Sequence, residues 1–140
     1  MPIDFESVKK SYGRCMITRE TKEVFFKTFY EKFLNSNPSI KQMFQHTEFE
    51  KQITMLKNAI SMAILFVEKQ DELAQDVLTK IRNSHSRSRR NVKPEYYNYW
   101  LTSLMDTLKQ CDPQFTVQLE AHWRDMLQVT IDYIVDGYEQ

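Results

Sequence analysis

The 140-residue sequence predicts an all-α protein of about seven to eight helices. It holds only two glycines and four prolines, fewer than the turns of a β-sandwich or barrel of this length would need. Apolar residues recur at intervals of three and four over several long segments, which is the spacing of one helix face. The length suits one hydrophobic core, so we expect residues 1–140 to form a single domain.

The helices can be followed along the chain from their start and stop signals. Asp4 is a good N-cap for a first helix ending near Met16, and a second helix begins around Thr18 to Thr21 and stops at Asn35-Ser36-Asn37-Pro38. The remaining segments are a short turn from Pro38 to Met43, a long helix from about Thr47 to Lys69, a helix from Asp71 to about Arg87, one from Pro94 to about Gln110, and a last one after Pro113 ending near Tyr138. A four-helix bundle is an alternative that these uneven lengths fit less well.

Charge and composition exclude several classes of protein. Nineteen basic residues balance nineteen acidic ones, which gives no reason to expect a nucleic-acid or membrane-surface binder. The longest apolar stretch, Ile60 to Val67, is too short to cross a bilayer, and the N-terminus has no signal-peptide pattern. Cys15 and Cys111 lie far apart and have no metal-type spacing, so we expect reduced thiols and a cytoplasmic protein.

Three polar residues, Tyr30, Gln52 and His85, interrupt apolar helix faces. The apolar residues at helical spacing from them are Phe26 and Phe33 or Leu34 for Tyr30, Leu56, Ile60 and Ile64 for Gln52, and Leu73, Val77 and Ile81 for His85. A buried polar group without a partner costs about 1–3 kcal/mol. Three such groups converging on one core indicate a shared partner, which need not be protein.

Each of these residues also has a plainer interpretation. A lone histidine on an apolar face is usually a core residue bonded to a carbonyl. A glutamine near a helix start can be exposed, a tyrosine can place its hydroxyl at the surface, and Phe44 can simply fill the core. The relative spacing of these residues is more informative than any one of them.

The order and spacing resemble those of bacterial single-domain haemoglobins and the globin domain of flavohaemoglobins. Tyr30 precedes Phe44 by fourteen residues, as their distal tyrosine precedes a haem-stacking phenylalanine, and His85 follows Gln52 by thirty-three. The segment Val92-Lys93-Pro94-Glu95-Tyr96-Tyr97 resembles the start of their helix after the proximal histidine. The resemblance extends from about Phe26 to Tyr133.

The resemblance implies a globin fold around haem b, with His85 as the iron ligand. It implies that Tyr30, Gln52 and Leu56 form the distal side, where the phenol and the amide donate to a bound gas. The residues expected to line the haem are Phe44, Leu56, Ile81, Tyr97 and Trp100. We expect the second ring nitrogen of His85 to donate to a carbonyl or hydroxyl of its own helix, that of Ile81 or alternatively Ser84.

Two departures from the family are visible. The run between His85 and Val92 is about two residues longer than in these relatives and lacks their glycine. No glutamate of the last helix stands where flavohaemoglobins join one to the proximal histidine, and Asp136 is shorter, so a peroxidase-like proximal triad is not carried over. The basic run is interpreted as a solvated helix end, with pairing to haem propionates as the alternative; it comprises Arg82, Arg87, Arg89, Arg90 and Lys93.

The function implied is reversible binding of O₂, and of NO or CO, by a carrier or store rather than an enzyme. The alternatives are oxidation of NO to nitrate with an external reductase, a gas sensor, and a haem-free globin-like interaction module. His46 is the one rival that could approach the iron from the distal side, and His122 is expected at the surface or its boundary. The sequence leaves the oligomeric state open.

Overall fold

The computed structural model describes residues 2–140, and these form seven α-helices and no strand. The helices are α1 (Phe5–Cys15), α2 (Arg19–Leu34), α3 (Pro38–Met43), α4 (Phe49–Lys69), α5 (Glu72–Ser84), α6 (Tyr96–Cys111) and α7 (Val117–Val135). The predicted all-α class is confirmed, and each predicted helix is present. Across the described residues, no helix has both the length and the apolar character needed to span a membrane.

The helix starts follow from short polar side chains that cap them. Asp4 accepts a hydrogen bond from the backbone N–H of Ser7, and Thr18 and Thr21 form a reciprocal capping box at the start of α2. At the start of α7, the Thr116 hydroxyl accepts a hydrogen bond from the backbone N–H of Leu119. Each cap satisfies backbone donors that have no partner inside the helix, and is worth about 1 kcal/mol.

The core is formed mainly where α2 crosses α6 and where α4 packs against α5 and α7. Phe25 and Phe29 of α2 are fully buried, as are Leu104 and Leu108 of α6 and Trp123 of α7. The aromatic side chains of α2 therefore face the protein interior, which brings Tyr30 of the same helix inward as well.

A buried charged group fastens α1 to the turn between α6 and α7. The Asp112 carboxylate accepts hydrogen bonds from Arg14 at 2.6 and 2.9 Å and from the Ser11 hydroxyl at 2.6 Å. The Ser11 oxygen in turn accepts from the indole N–H of Trp123 at 3.1 Å. Each end of this network satisfies a polar group that would otherwise be buried without a partner.

The interpretation of α5 needs two corrections. The helix ends at Ser84 rather than near Arg87, so His85 is its C-cap residue. Leu73, expected on the buried stripe, is 75% exposed, whereas Ala74 and Leu78 are buried. The reason is geometric: with 3.6 residues per turn, each step of four advances about 40°, so three steps turn Leu73 about 120° away from His85.

The loop after His85 is held by the C-terminal residues. The backbone N–H of Arg87 donates to the Tyr138 carbonyl at 2.7 Å, and the Tyr138 hydroxyl bonds to the side chain of Asn91. Asn91 adopts a left-handed conformation with φ of 54°. Asparagine tolerates that region better than most residues, which explains how this loop turns without a glycine.

Candidate functional site

His85 is held at the end of α5 by its backbone and by a neighbouring helix. Its N–H donates to the Ile81 carbonyl at 2.9 Å, and its ring Nδ1 lies 3.0 Å from the hydroxyl of Tyr97 in α6. The expected ring partner, the Ile81 carbonyl or Ser84, is therefore wrong. The Ile81 carbonyl already accepts from the His85 N–H and from the Ser84 hydroxyl at 3.0 Å, so it is occupied from within the helix.

The environment of His85 keeps its imidazole neutral. Burial, helped by the positive charge of Arg90, lowers the pKa of His85 to about 4. Burial also raises the pKa of Tyr97, so its phenol keeps its proton. When Nδ1 carries the ring proton it donates to the Tyr97 oxygen, and the lone pair of Nε2 is then available. Among residues 2–140, nothing hydrogen-bonds to Nε2.

Tyr30 is buried, and its hydroxyl donates to the backbone carbonyl of Gln52 at 3.3 Å. Burial raises the pKa of Tyr30 to about 12, so it too is a neutral donor. Its ring lies 6.4 Å from that of Phe44 and 5.3 Å from that of Phe49. Tyr30 and Phe44, fourteen residues apart in the sequence, are thus close neighbours in the structure.

The remaining expected site residues lie on the helices around these two groups. Leu56 is buried one turn after the half-buried Gln52, and Ile81 is half-buried one turn before His85. Trp100 is half-buried, and its ring packs edge to face with that of Phe29, with 6.1 Å between the ring centres. The structure brings Tyr30, Gln52 and Phe44 into one cluster and His85 and Tyr97 into another. The first cluster lies where α2 and α3 meet the start of α4, and the second lies where the end of α5 meets α6. Of these helices, α4 packs against α5.

The other two histidines lie elsewhere. His46 is exposed between α3 and α4. The Nδ1 of the half-buried His122 accepts the backbone N–H of Asp4 at 3.1 Å, at the start of α1. His85 therefore differs from both in being fixed by a side chain of a second helix in a desolvated setting.

The basic run is less uniform than a solvated helix end. Only 19% of the Arg82 side chain is exposed, and its guanidinium lies 5.0 Å from the ring centre of Tyr133. It also donates to the Tyr133 carbonyl and to Asp136, and Gly137 leaves the room it needs, since a Cβ there would lie 2.4 Å from the Arg82 Nε. Arg87 pairs with Glu139 at 3.1 Å. Two of the five cations are thus directed to the C-terminal end of the protein.

Phe49 and the C-terminal contacts were not predicted from the sequence. Phe49 begins α4 and forms a wall beside Tyr30; its spacing of four from the apolar Ile53 was the available signal. The contact of Tyr138 with Asn91 joins residues 47 positions apart, and no local pattern indicates it.

Taken together, the fold and these clusters define an all-helical protein with a histidine site at the end of α5 and a buried tyrosine of α2 whose hydroxyl contacts α4. The Globin family model matches residues 27–134, which is most of the chain. The chain therefore belongs to the globin family.

A solved structure supports the same assignment. It is that of a protein from Pseudomonas aeruginosa PAO1, described as structurally highly homologous to a human haemoglobin. That protein is 28% identical to this chain with a TM-score of 0.88, and the match covers 97% of this chain and 98% of the other. Comparison with curated proteins gives no significant match.

Proposed function

We propose that residues 1–140 act as one globin domain that holds haem b through Nε2 of His85 and reversibly binds O₂. The observation that supports this most directly is the 3.0 Å contact between His85 Nδ1 and the Tyr97 hydroxyl. It engages Nδ1 and orients the ring, so that Nε2 would be the nitrogen left to bind a metal, as the second partner of a metal-binding histidine does.

The residues present fit a haem. A neutral imidazole is the proximal ligand in globins, and the low pKa of His85 keeps it in that form at neutral pH. Phe44, Leu56, Ile81 and Trp100 supply apolar surface of the kind that buries a flat macrocycle. When bound, haem supplies an iron centre that accepts a diatomic gas such as O₂, NO or CO.

Tyr30 and Gln52 are proposed to select and retain the gas. A phenol donor from Tyr30 and an amide donor from Gln52 would stabilise a polarised gas ligand such as O₂ more than the less polarised CO. Burial raises the pKa of Tyr30, so its phenol keeps its proton and can donate. The apolar side chains of Leu56 and Phe44 would exclude water from the same side.

Absorption spectra of the purified protein and of three single histidine variants test the proposal. We expect one haem per chain in the wild type, and in His46→Ala and His122→Ala. His85→Ala should lose haem or bind it loosely, with an altered ferrous CO spectrum. Wild-type spectra and haem retention in His85→Ala would show that the proximal assignment is wrong. A wild type that takes up no haem would favour the interaction-module alternative, and NO turnover with an added reductase would favour the dioxygenase one.

A further inference from the structure

The loop that joins α5 to α6 directly after His85 carries a concentrated positive charge, and we call its residues 86–95 the basic loop. Its exposed cations are Arg87, Arg89, Arg90 and Lys93. Its one carboxylate is that of Glu95. Because the whole chain has a formal net charge of zero, these four cations are a local excess that the overall composition does not explain.

Most of this charge has no partner within residues 2–140. Arg87 forms an ion pair with Glu139. Arg89, Arg90 and Lys93 form no ion pair with any carboxylate of the described residues. The field of an exposed cation that is not neutralised in its own chain acts on an approaching partner instead.

The backbone holds these cations in fixed positions beside the candidate iron ligand. The N–H of Arg89 donates to the Ser86 carbonyl at 3.0 Å, and the N–H of Arg90 donates to the Ser84 carbonyl at 3.1 Å. Arg90 also lies close enough to His85 for its charge to help lower the pKa of that imidazole. A loop that is already ordered loses less conformational freedom when a partner binds.

We infer that the basic loop is the docking surface for an acidic electron-donor protein that reduces the iron held by His85. The inference rests on the proposed function, because reversible O₂ binding requires ferrous iron. In this step the donor protein loses one electron and ferric iron gains it, and no bond forms or breaks. A guanidinium group meets a carboxylate through two parallel hydrogen bonds, so a surface rich in aspartate and glutamate is complementary to the loop.

The loop fits a protein partner better than a nucleic acid or a membrane. Residues 86–95 include no aromatic side chain on which a base could stack. None of the large apolar side chains exposed on the described residues lies in this loop, so it has no group to insert into a bilayer. Its position directly after His85 favours a partner that acts on the iron.

Reduction of the ferric protein under CO, followed by stopped flow, tests the inference. The probe is reduced plant-type ferredoxin, a small acidic one-electron donor. At low ionic strength, the double variant Arg89→Glu with Arg90→Glu should lower the second-order rate at least about tenfold. Lys93→Glu, farther along the loop from His85, should lower it by a smaller factor. The conservative variant Arg89→Lys with Arg90→Lys keeps both charges and should retain most of the rate.

A matched control separates the loop from the net charge of the protein. Lys10→Glu combined with Lys27→Glu changes the net charge by the same amount at exposed positions of α1 and α2 that form no ion pair. This variant should reduce the rate less than about threefold, since charges farther than a Debye length from the docking surface are screened. Raising the salt concentration should remove the difference between the wild type and the Arg89/Arg90 variant.

NMR of the CO-bound protein with oxidised ferredoxin gives a second readout, since the oxidised probe donates no electron. The amide resonances of Arg87 to Lys93 should shift or broaden in the wild type and should not respond in the Arg89→Glu with Arg90→Glu variant.

The outcomes distinguish this inference from the proposed function. If the protein binds haem and CO but the loop and control variants slow reduction equally, or the perturbed amides lie outside the basic loop, the inference is overturned and the proposed function stands. Tighter binding of single-stranded RNA or phosphatidylglycerol vesicles than of ferredoxin, lost in the Arg89/Arg90 charge reversal, would overturn the assignment to a donor protein. Failure to bind haem at all would overturn the proposed function and this inference with it.

Discussion

In the proposed gas site, the acceptor of the Tyr30 hydroxyl would bear on selectivity among gases. Its acceptor in the structure is the neutral carbonyl of Gln52 at 3.3 Å. A polarised O₂ molecule would be a better acceptor than this carbonyl, whereas CO would be hardly better. The gain from donating to O₂ would therefore be the difference between two hydrogen bonds, not the full energy of one.

Replacing Tyr30 with phenylalanine measures that difference. Bonds to charged acceptors exceed neutral ones by about 1–2 kcal/mol, so Tyr30→Phe should speed O₂ dissociation about five- to thirtyfold. CO dissociation should change far less, and Gln52→Leu should raise the O₂ rate by a smaller factor, since Tyr30 still donates. Stopped-flow displacement of each gas gives the rates. Equal and small effects on O₂ and CO in Tyr30→Phe would mean that this residue only packs.

A second residue-scale prediction concerns Tyr97, which we regard as a positioning residue for His85. Tyr97→Phe leaves Nδ1 of His85 without its partner at 3.0 Å, so the ring is less firmly oriented. Removing such a partner weakens metal binding about tenfold or more. We expect haem transfer to an acceptor globin to accelerate accordingly, with helix content unchanged. Tyr99→Phe, at an exposed position of the same helix, is the control. Equal haem loss in the two variants would show that the contact does not position His85.

The limits of sequence analysis are clear from these two residues. The spacing of Tyr30 and Phe44 predicts their proximity because Tyr30 lies in the last turns of α2, and Phe44 ends the short helix α3 that begins directly after Asn37. The ring partner of His85 could not be predicted in the same way. It depends on α5 ending at Ser84, which lets the side chain of the C-cap residue reach Tyr97 of the next helix.

At the scale of helices, a start was predictable where a side chain caps it, whereas α4 and α6, which have no such cap, begin two residues later than predicted. Short polar residues such as Asp4 and Thr18 mark the starts by a local hydrogen bond that a sequence pattern reveals. The end of α5 has no glycine or proline to mark it, and it is determined by contacts with the loop that follows. The interval of four from Leu73 to His85 also predicted that Leu73 lies on the buried face of α5. Helix geometry turns Leu73 away from that face, and it is exposed.

The Asp112 network predicts an acid-dependent contribution to stability between helices. Burial alone raises the pKa of Asp112, but hydrogen bonds from Arg14, Ser11 and the Gln114 N–H, with the charge of Arg14, outweigh it and lower the pKa overall. A lowered folded-state pKa means that the stabilisation is complete above the unfolded pKa, near 4. It is lost as the pH falls through the folded value.

Asp112→Asn should therefore reduce the free energy of unfolding by about 3 kcal/mol at pH 7, because it leaves the partly buried Arg14 without its charged partner. The difference from the wild type should shrink below about pH 4. Urea denaturation at several pH values gives both quantities. Asp106→Asn, at an exposed position of α6, should change neither. A deficit in Asp112→Asn that stays constant down to low pH would contradict the electrostatic origin.

At the scale of the whole molecule, the order of the helices could be predicted, but the contacts between the C-terminal residues and the loop after His85 could not. Periodicity and caps determine each helix locally, and the spacing of a few polar residues indicates how they assemble. The contacts of the last residues with the loop after His85 join positions about fifty residues apart. One joins the backbone N–H of Arg87 to the Tyr138 carbonyl, and the others use single side chains such as those of Arg87 and Ser88. No local pattern indicates contacts so distant in the chain, although they hold the loop that follows the candidate iron ligand.

Those contacts lead to a prediction about the stability of the loop. Deleting Tyr138–Gln140 removes the carbonyl that accepts the Arg87 N–H at 2.7 Å and the hydroxyl that bonds to Asn91. Loss of one such bond, worth about 1 kcal/mol, should speed exchange of the Arg87 amide at least about fivefold. The Val92 amide, which donates to the His85 carbonyl, should exchange faster as well if the whole loop loosens. The His85 amide bonds to Ile81 within the last turn of α5 and should keep its protection, so it is the internal control. Hydrogen exchange read by NMR resolves the three amides, and unchanged rates at Arg87 and Val92 would show that the loop is stable without the tail.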